Sequence, residues 1–153
     1  MTQQNLNWAV IVPMANEKAE FSSFCSLLAN VFTDQASGKA YLIIDTVSVD
    51  NTLELANSLA DRDSRFEVVW APENRSVAGA YTTGYRAAYG KGHELIIEMD
   101  ANLSHDPKAL PVFLKYLNEG YECVFGSRFI RGGSMDNRPL GRKLLSYYGT
   151  IAA

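Results

Sequence analysis

At 153 residues, 47% of them hydrophobic, the chain has the length of one domain and can bury a core without a disulfide or metal staple. A formal net charge of -3, a pI near 5.4 and the lack of any block of like charges exclude the basic field that draws a protein to nucleic acid. No stretch approaches the roughly 18 consecutive apolar residues of a membrane span, and the start MTQQNLNWAVIVPMANE has neither the basic lead nor the apolar core of a secretory signal.

In chain order, the apolar run 8–13 (WAVIVP), closed by proline, is the first strand candidate. A helix follows over 17–32, where Phe21, Phe24, Leu28 and Val31 recur at spacings of three and four. Strand 40–44 (AYLII), helix 51–59, strand 66–70 (FEVVW), helix 77–89, strand 95–99 (LIIEM) and helix 107–117 continue the alternation. The run 121–125 (YECVF) reads as a fifth strand, and the Gly-rich RGGSMDNRP after Gly126 as the one long loop. Cys25 falls on an apolar helix face and Cys123 on the fifth strand, so both are expected as buried thiols in a reducing, cytoplasmic setting. The end, KLLSYYGTIAA, stops inside an amphipathic pattern with no capping glycine, so residues 1–153 are expected to be a single domain that is incomplete at its C-terminus.

Strands rich in Val and Ile without strict alternation are buried on both faces, and regular β/α succession with short connections implies parallel strands joined by right-handed crossovers. The expected architecture is an α/β three-layer sandwich, a mainly parallel sheet with helices on both faces. Ligands of such sheets bind outside the carboxyl ends of the strands. The polar clusters 13–17, 45–48, 100–102 and 126–128 all fall there.

Asp100 and Asn102 alternate along a strand exit and so can point to one side, with only the small Ala101 between them. Two such oxygen donors suit a hard divalent cation, Mg or Mn, that carries a diphosphate. The plainer reading makes Asp100 and Ser104 turn formers and Asp106 the N-cap of the helix that begins at Pro107. The turn from Asp45 to Thr52 likewise offers a helix cap at Asp50, or hydroxyls and a carboxylate for a nucleobase or ribose. Arg128, Arg131, Arg138, Arg142 and Lys143 concentrate positive charge after the last strand, as a phosphate-binding cluster or as a solvated face. Of the two histidines, His93 and His105, the second is read as orienting its loop by hydrogen bonding rather than as a general base, and no zinc spacing is present.

Taken in order, VIVPMANE, IIDTVSVDNT, ENRSVAGAYTTGYRAA, EMDANLSHDP and GSRFIRGGSMDNRPLGRK resemble glycosyltransferase family 2, in its polyprenyl-phosphate (dolichyl-phosphate) mannose synthase branch. The resemblance implies a GT-A type, Rossmann-like fold. It places Pro13, Ala15 and Glu17 against the nucleotide, Ile44, Thr46 and Ser48 around the base, and Gly79 among the nucleotide-binding positions. Asp100, Asn102 and Ser104 match the family's Asp-x-Asp-x-polar motif for Mg or Mn. Arg128, Arg142 and Lys143 match basic residues that face the donor diphosphate or the acceptor phosphate, and Asp100, Arg128 and Arg142 carry catalysis.

The implied reaction moves a sugar, mannose by resemblance, with inversion from a nucleoside diphosphate sugar (GDP-mannose favoured) to a polyprenyl phosphate. The implied setting is the cytoplasm, peripheral at the membrane surface, with a membrane-anchored partner or a homo-oligomer both open. Three positions depart from the family pattern: Thr46 replaces the second of two aspartates, Asn102 replaces a metal-binding aspartate, and Ala15 replaces an aromatic residue. These departures motivate two other readings. One is a non-catalytic domain that binds a nucleotide sugar; the other is a UDP-sugar-dependent transferase with a saccharide acceptor, for which Asp136 would be the base.

Overall fold

The computed structural model of the chain describes residues 7–102 and 105–127. Four strands, β1 (Trp8–Met14), β2 (Gly38–Ile44), β3 (Phe66–Trp70) and β4 (Leu95–Glu98), pair in parallel in the order β3-β2-β1-β4. Helices α1 (Lys18–Asp34), α2 (Thr52–Ala60) and α3 (Val77–Gly90) connect them, and α4 (Leu110–Asn118) follows β4. The expected α/β sandwich is therefore the observed one. The chain divides into two compact units, Met1–Glu122, which holds all of these elements, and Cys123–Ala153, whose described residues 123–127 form neither helix nor strand.

Both faces of the sheet are apolar because successive strand residues point to opposite sides. Val10, Val12 and Met14 of β1 join Leu42 and Ile44 of β2 under Phe21, Phe24, Leu28 and Phe32 of α1, with Ala56 of α2 and Leu110 and Leu114 of α4. On the other face, Ala9, Ile11, Tyr41 and Ile43 meet Ala80 and Ala88 of α3. That second layer is thin. Gly84 faces Ile11 so closely that a Cβ there would lie 2.2 Å from Ile11 Cγ2, so α3 rests on β1 through its own backbone.

Three expectations change. The run 121–125 is not a strand: it has no ladder partner among the described residues, and Tyr121 and Phe125 stand 58% and 86% exposed. Apolar composition marks a segment for burial but supplies no hydrogen-bonded neighbour, without which a strand does not form. Cys123 is accordingly exposed, whereas Cys25 is buried and its thiol is pushed up to about 12 by that burial. The helix expected from Pro107 begins as a 3-10 turn (Pro107–Ala109) before α4, and Asp106 caps it as expected by accepting from the Lys108 N–H at 3.0 Å.

Candidate functional site

At the carboxyl end of the sheet the loop after β1 and the loop after β2 are joined to each other. Asn16 adopts a left-handed φ of 61°, a conformation that asparagine tolerates better than most residues. In that pose its N–H donates to Ser48 Oγ at 3.2 Å and its side-chain amide donates to the Val47 carbonyl at 3.0 Å. Its Oδ1 accepts from the Val49 N–H at 3.0 Å. The Glu17 N–H donates to Thr52 Oγ1 at 2.9 Å, and the Lys18 N–H to Asp50 Oδ2 at 3.1 Å, so two orphan donors at the start of α1 are satisfied from the start of α2. Asp50 caps α2 from one position before the N-cap, because Asn51 makes no side-chain cap and Asp50 Oδ1 accepts from the Thr52 N–H at 2.9 Å. The bonds from the Thr52 side chain and backbone, with that from Lys18, hold the Asp50 carboxyl below its usual range.

The loop after β3 joins the same assembly. Asn74 donates to Asp45 Oδ2 at 2.5 Å, while Asp45 Oδ1 accepts from the Val47 N–H at 2.9 Å. Gly79 leaves room for this contact, since a Cβ there would lie 2.2 Å from Asn74 Oδ1. Its N–H donates to the N-cap hydroxyl of Ser76 at 3.1 Å.

Asp100 follows β4. Its Oδ1 accepts from the Tyr81 hydroxyl of α3 at 3.0 Å, and its backbone N–H donates to His105 Nδ1 at 3.1 Å. The other ring nitrogen, His105 Nε2, lies 3.9 Å from Asp100 Oδ2. This is the loop-orienting contact expected of His105. One turn further along α3, Tyr85 donates to Glu98. Burial, then the charge of Asp100, pushes the Tyr81 phenol up, so it stays a donor. The Glu17 carboxyl is also pushed up, by burial first and then by the charges of Glu20, Asp100 and Asp50.

These loops enclose a crevice of about 500 Å³ lined by Pro13, Ala15, Glu17, Asp45, Val47, Asn74, Arg75, Ser76, Asp100, Ala101 and Asn102, among others. Pro13, Ala15, Glu17, Asp100 and Asn102 thus come together as the sequence suggested. Ile44 does not join them: its side chain is fully buried in the core on the α1 face. Thr46 is exposed and outside the lining, Ser48 is committed to Asn16, and Gly79 serves the packing of Asn74 rather than the crevice wall. Ser104, Arg128, Asp136, Arg142 and Lys143 lie outside the described residues. Asn74, Arg75 and Tyr81 are crevice-lining or crevice-holding residues that sequence reasoning did not select, whereas Asp45 and Thr52 belong to the polar turn read there as a cap or as a hold on a nucleobase or ribose.

For a divalent cation the donor set is small but chemically apt. Among the described residues no group of three or more His, Cys, Asp or Glu is arranged around one point. Asp100 and Asn102 offer hard oxygen atoms, and the carboxylates of Glu17 and Asp45 line the same crevice. Mg and Mn are commonly held by one or two such side chains together with substrate phosphates, so these residues fit the group.

Residues 9–152 match glycosyl transferase family 2. The chain belongs to that family. It is 34% identical over 110 residues to an undecaprenyl-phosphate mannosyltransferase of Micrococcus luteus, an alignment covering 72% of this chain and 45% of the relative. It is 31% identical to a polyprenol monophosphomannose synthase of Mycolicibacterium smegmatis (95% of this chain, 52% of the relative) and 28% identical to a dolichol-phosphate mannosyltransferase of Pyrococcus furiosus (90% and 38%). The chain therefore spans about half the length of these relatives, or less. The β3-β2-β1-β4 sheet with its crevice at the strand ends agrees with the GT-A type fold of the family. No helix among the described residues is long and apolar enough to cross a membrane.

Proposed function

We propose that this chain carries the donor-binding part of an inverting glycosyltransferase that moves mannose from a nucleoside diphosphate sugar to a polyprenyl phosphate at a membrane surface. The observation that carries the reading is the meeting of Asp100 and Asn102 with the N-terminus of α3 in one crevice. Helix N-termini favour phosphate groups through their unpaired N–H donors and dipole. Arg75, which lines the same crevice, adds a guanidinium. The relatives named for polyprenyl-phosphate mannosyl transfer supply the sugar and the acceptor class.

In the proposed reaction an acceptor phosphate oxygen forms a bond to the anomeric carbon as the bond from that carbon to the diphosphate oxygen breaks. The nucleoside diphosphate leaves with that electron pair. The acceptor is already anionic near neutral pH, so no side chain has to remove a proton, and the residues' work is orientation and charge balance. Asp100 and Asn102 would hold Mg or Mn, whose chemistry when bound is to neutralise charge on the leaving diphosphate. Asp45 and Val47, which line the β2 side of the crevice, would face the base, and Glu17 lines the β1 side.

The test is a thermal-shift panel of the full chain with GDP- and UDP-sugars, with and without manganese, followed by transfer of labelled mannose to a short polyprenyl phosphate. A ligand that binds only the folded state raises its apparent stability, by about 2.7 kcal/mol at a hundredfold excess over Kd. A manganese-dependent shift with one donor is expected. No shift with any donor would sink the reading, and a shift without transfer would reduce it to nucleotide-sugar binding.

A further inference from the structure

We infer that Tyr81 is a positioning residue for Asp100, holding one carboxylate oxygen so that the other is presented toward a divalent cation. This rests on the cation reading of Asp100 and Asn102 given above. Two tyrosines of α3, Tyr81 and Tyr85, donate to two carboxylates of the neighbouring strand exit, Asp100 and Glu98. The pattern is geometric: residues four apart on a helix rise about 6 Å, and residues two apart on a strand rise about 6.6 Å. The two spacings match, so the tyrosines form successive rungs between helix and strand. The rungs differ in surroundings. Tyr85 and Glu98 are exposed, whereas Tyr81 is half-buried and its partner Asp100 lines the crevice.

Three features make the inner rung a positioning device. First, α3 is seated on β1 through the Gly84–Ile11 contact, so the Tyr81 hydroxyl is placed by the core and not by a loop. Second, Asp100 lies just beyond β4, where no ladder fixes its side chain; Tyr81 at 3.0 Å and the bond from its N–H to His105 supply that restraint. Third, the donor is neutral. A lysine or arginine at this position would cancel the carboxylate charge that a cation needs, whereas a phenol orients the carboxylate and leaves its charge in place.

The test compares Tyr81→Phe with Tyr85→Phe and Asp100→Ala, each in the full chain. Binding of manganese, alone and with GDP or UDP added, is followed by the electron paramagnetic resonance signal of the free ion, and thermal melting is recorded beside it. Tyr81→Phe should weaken manganese binding by about tenfold, as loss of a partner to a metal-binding carboxylate typically does, and should alter the spectrum of the bound ion. Tyr85→Phe should leave both unchanged. Unchanged or tighter binding in Tyr81→Phe, or an equal loss in Tyr85→Phe, overturns the positioning role. Manganese binding that is absent from the wild type or survives in Asp100→Ala overturns the cation reading itself and this role with it. Tyr81→Met, which also lacks the donor, serves the same comparison if the phenylalanine variant does not fold.

Discussion

The hydroxyl of Thr52, fully buried at the start of α2, accepts from the Glu17 N–H at 2.9 Å and donates to Asp50 at 2.6 Å, joining the starts of two helices through one side chain. Valine has nearly the same shape but neither function. Thr52→Val leaves the part-buried Glu17 N–H without its partner, so a loss of about 1–3 kcal/mol is expected in urea unfolding. Thr52→Ser should recover most of it. A valine variant as stable as the wild type would contradict this account of the loop pair.

Gly84 poses a contest between two effects of opposite sign. Alanine in a helix interior is favoured over glycine by about 1 kcal/mol. Against that stands a methyl group placed 2.2 Å from Ile11 Cγ2, in the middle of a sheet strand that cannot retreat. Overpacking of this kind costs roughly 1–3 kcal/mol. We expect Gly84→Ala to be net destabilising, and Ile11→Ala in the same chain to relieve part of the loss. A double-mutant cycle of urea midpoints with no coupling between the two positions would refute the contact.

Glu17 gives the chain a signature in pH. Its carboxyl is raised in the fold by burial and by the charges of Glu20, Asp100 and Asp50. A raised folded value means that the group's favourable contribution is present below the unfolded carboxylate range and is lost as pH rises through the folded value. At neutral pH the ionised Glu17 therefore opposes folding. Glu17→Gln should raise the melting temperature at pH 7 and give no gain at pH 3, and a gain of the same size at both values would point away from charge.

Asn102 sets the strength of the proposed cation site. Its amide oxygen can ligate without contributing charge, and affinity in oxygen-ligand sites rises with the number of charged ligands. Asn102→Asp is expected to tighten manganese binding by roughly tenfold in calorimetric titration. Chelation with EDTA should remove the donor-induced thermal shift of both proteins. Equal or weaker binding in the aspartate variant would show that charge is not what limits the site.

The fold was legible because its signals are local. Apolar runs closed by proline or polar turns marked four strands, with β3 placed at Phe66–Trp70 in both readings, and the helical spacing of Phe21, Phe24, Leu28 and Val31 marked the buried face of α1. The run YECVF has the same composition as a strand, yet pairing depends on a neighbour that composition does not reveal. Ile44 shows a second limit: in a run apolar at every position, nothing in the sequence says which residues face the core and which face the crevice. The polar ends of the strands were readable, and Pro13, Ala15, Glu17, Asp100 and Asn102, which the family resemblance singled out there, line one crevice. Asn74 and Tyr81 were not singled out, nor was the bond of Thr52 to Glu17, because each acts on a loop far from it in sequence, and a tyrosine on a helix face looks like ordinary packing until its strand partner is known.

The left-handed Asn16 and its bonds to Val47, Ser48 and Val49 mean that two walls of the crevice are assembled before anything enters. A receptor already in shape gives up little freedom on loading. Under the proposed function, competing sugar nucleotides should then arrive at comparable rates and be told apart by their residence times, the discrimination lying in departure rather than in capture.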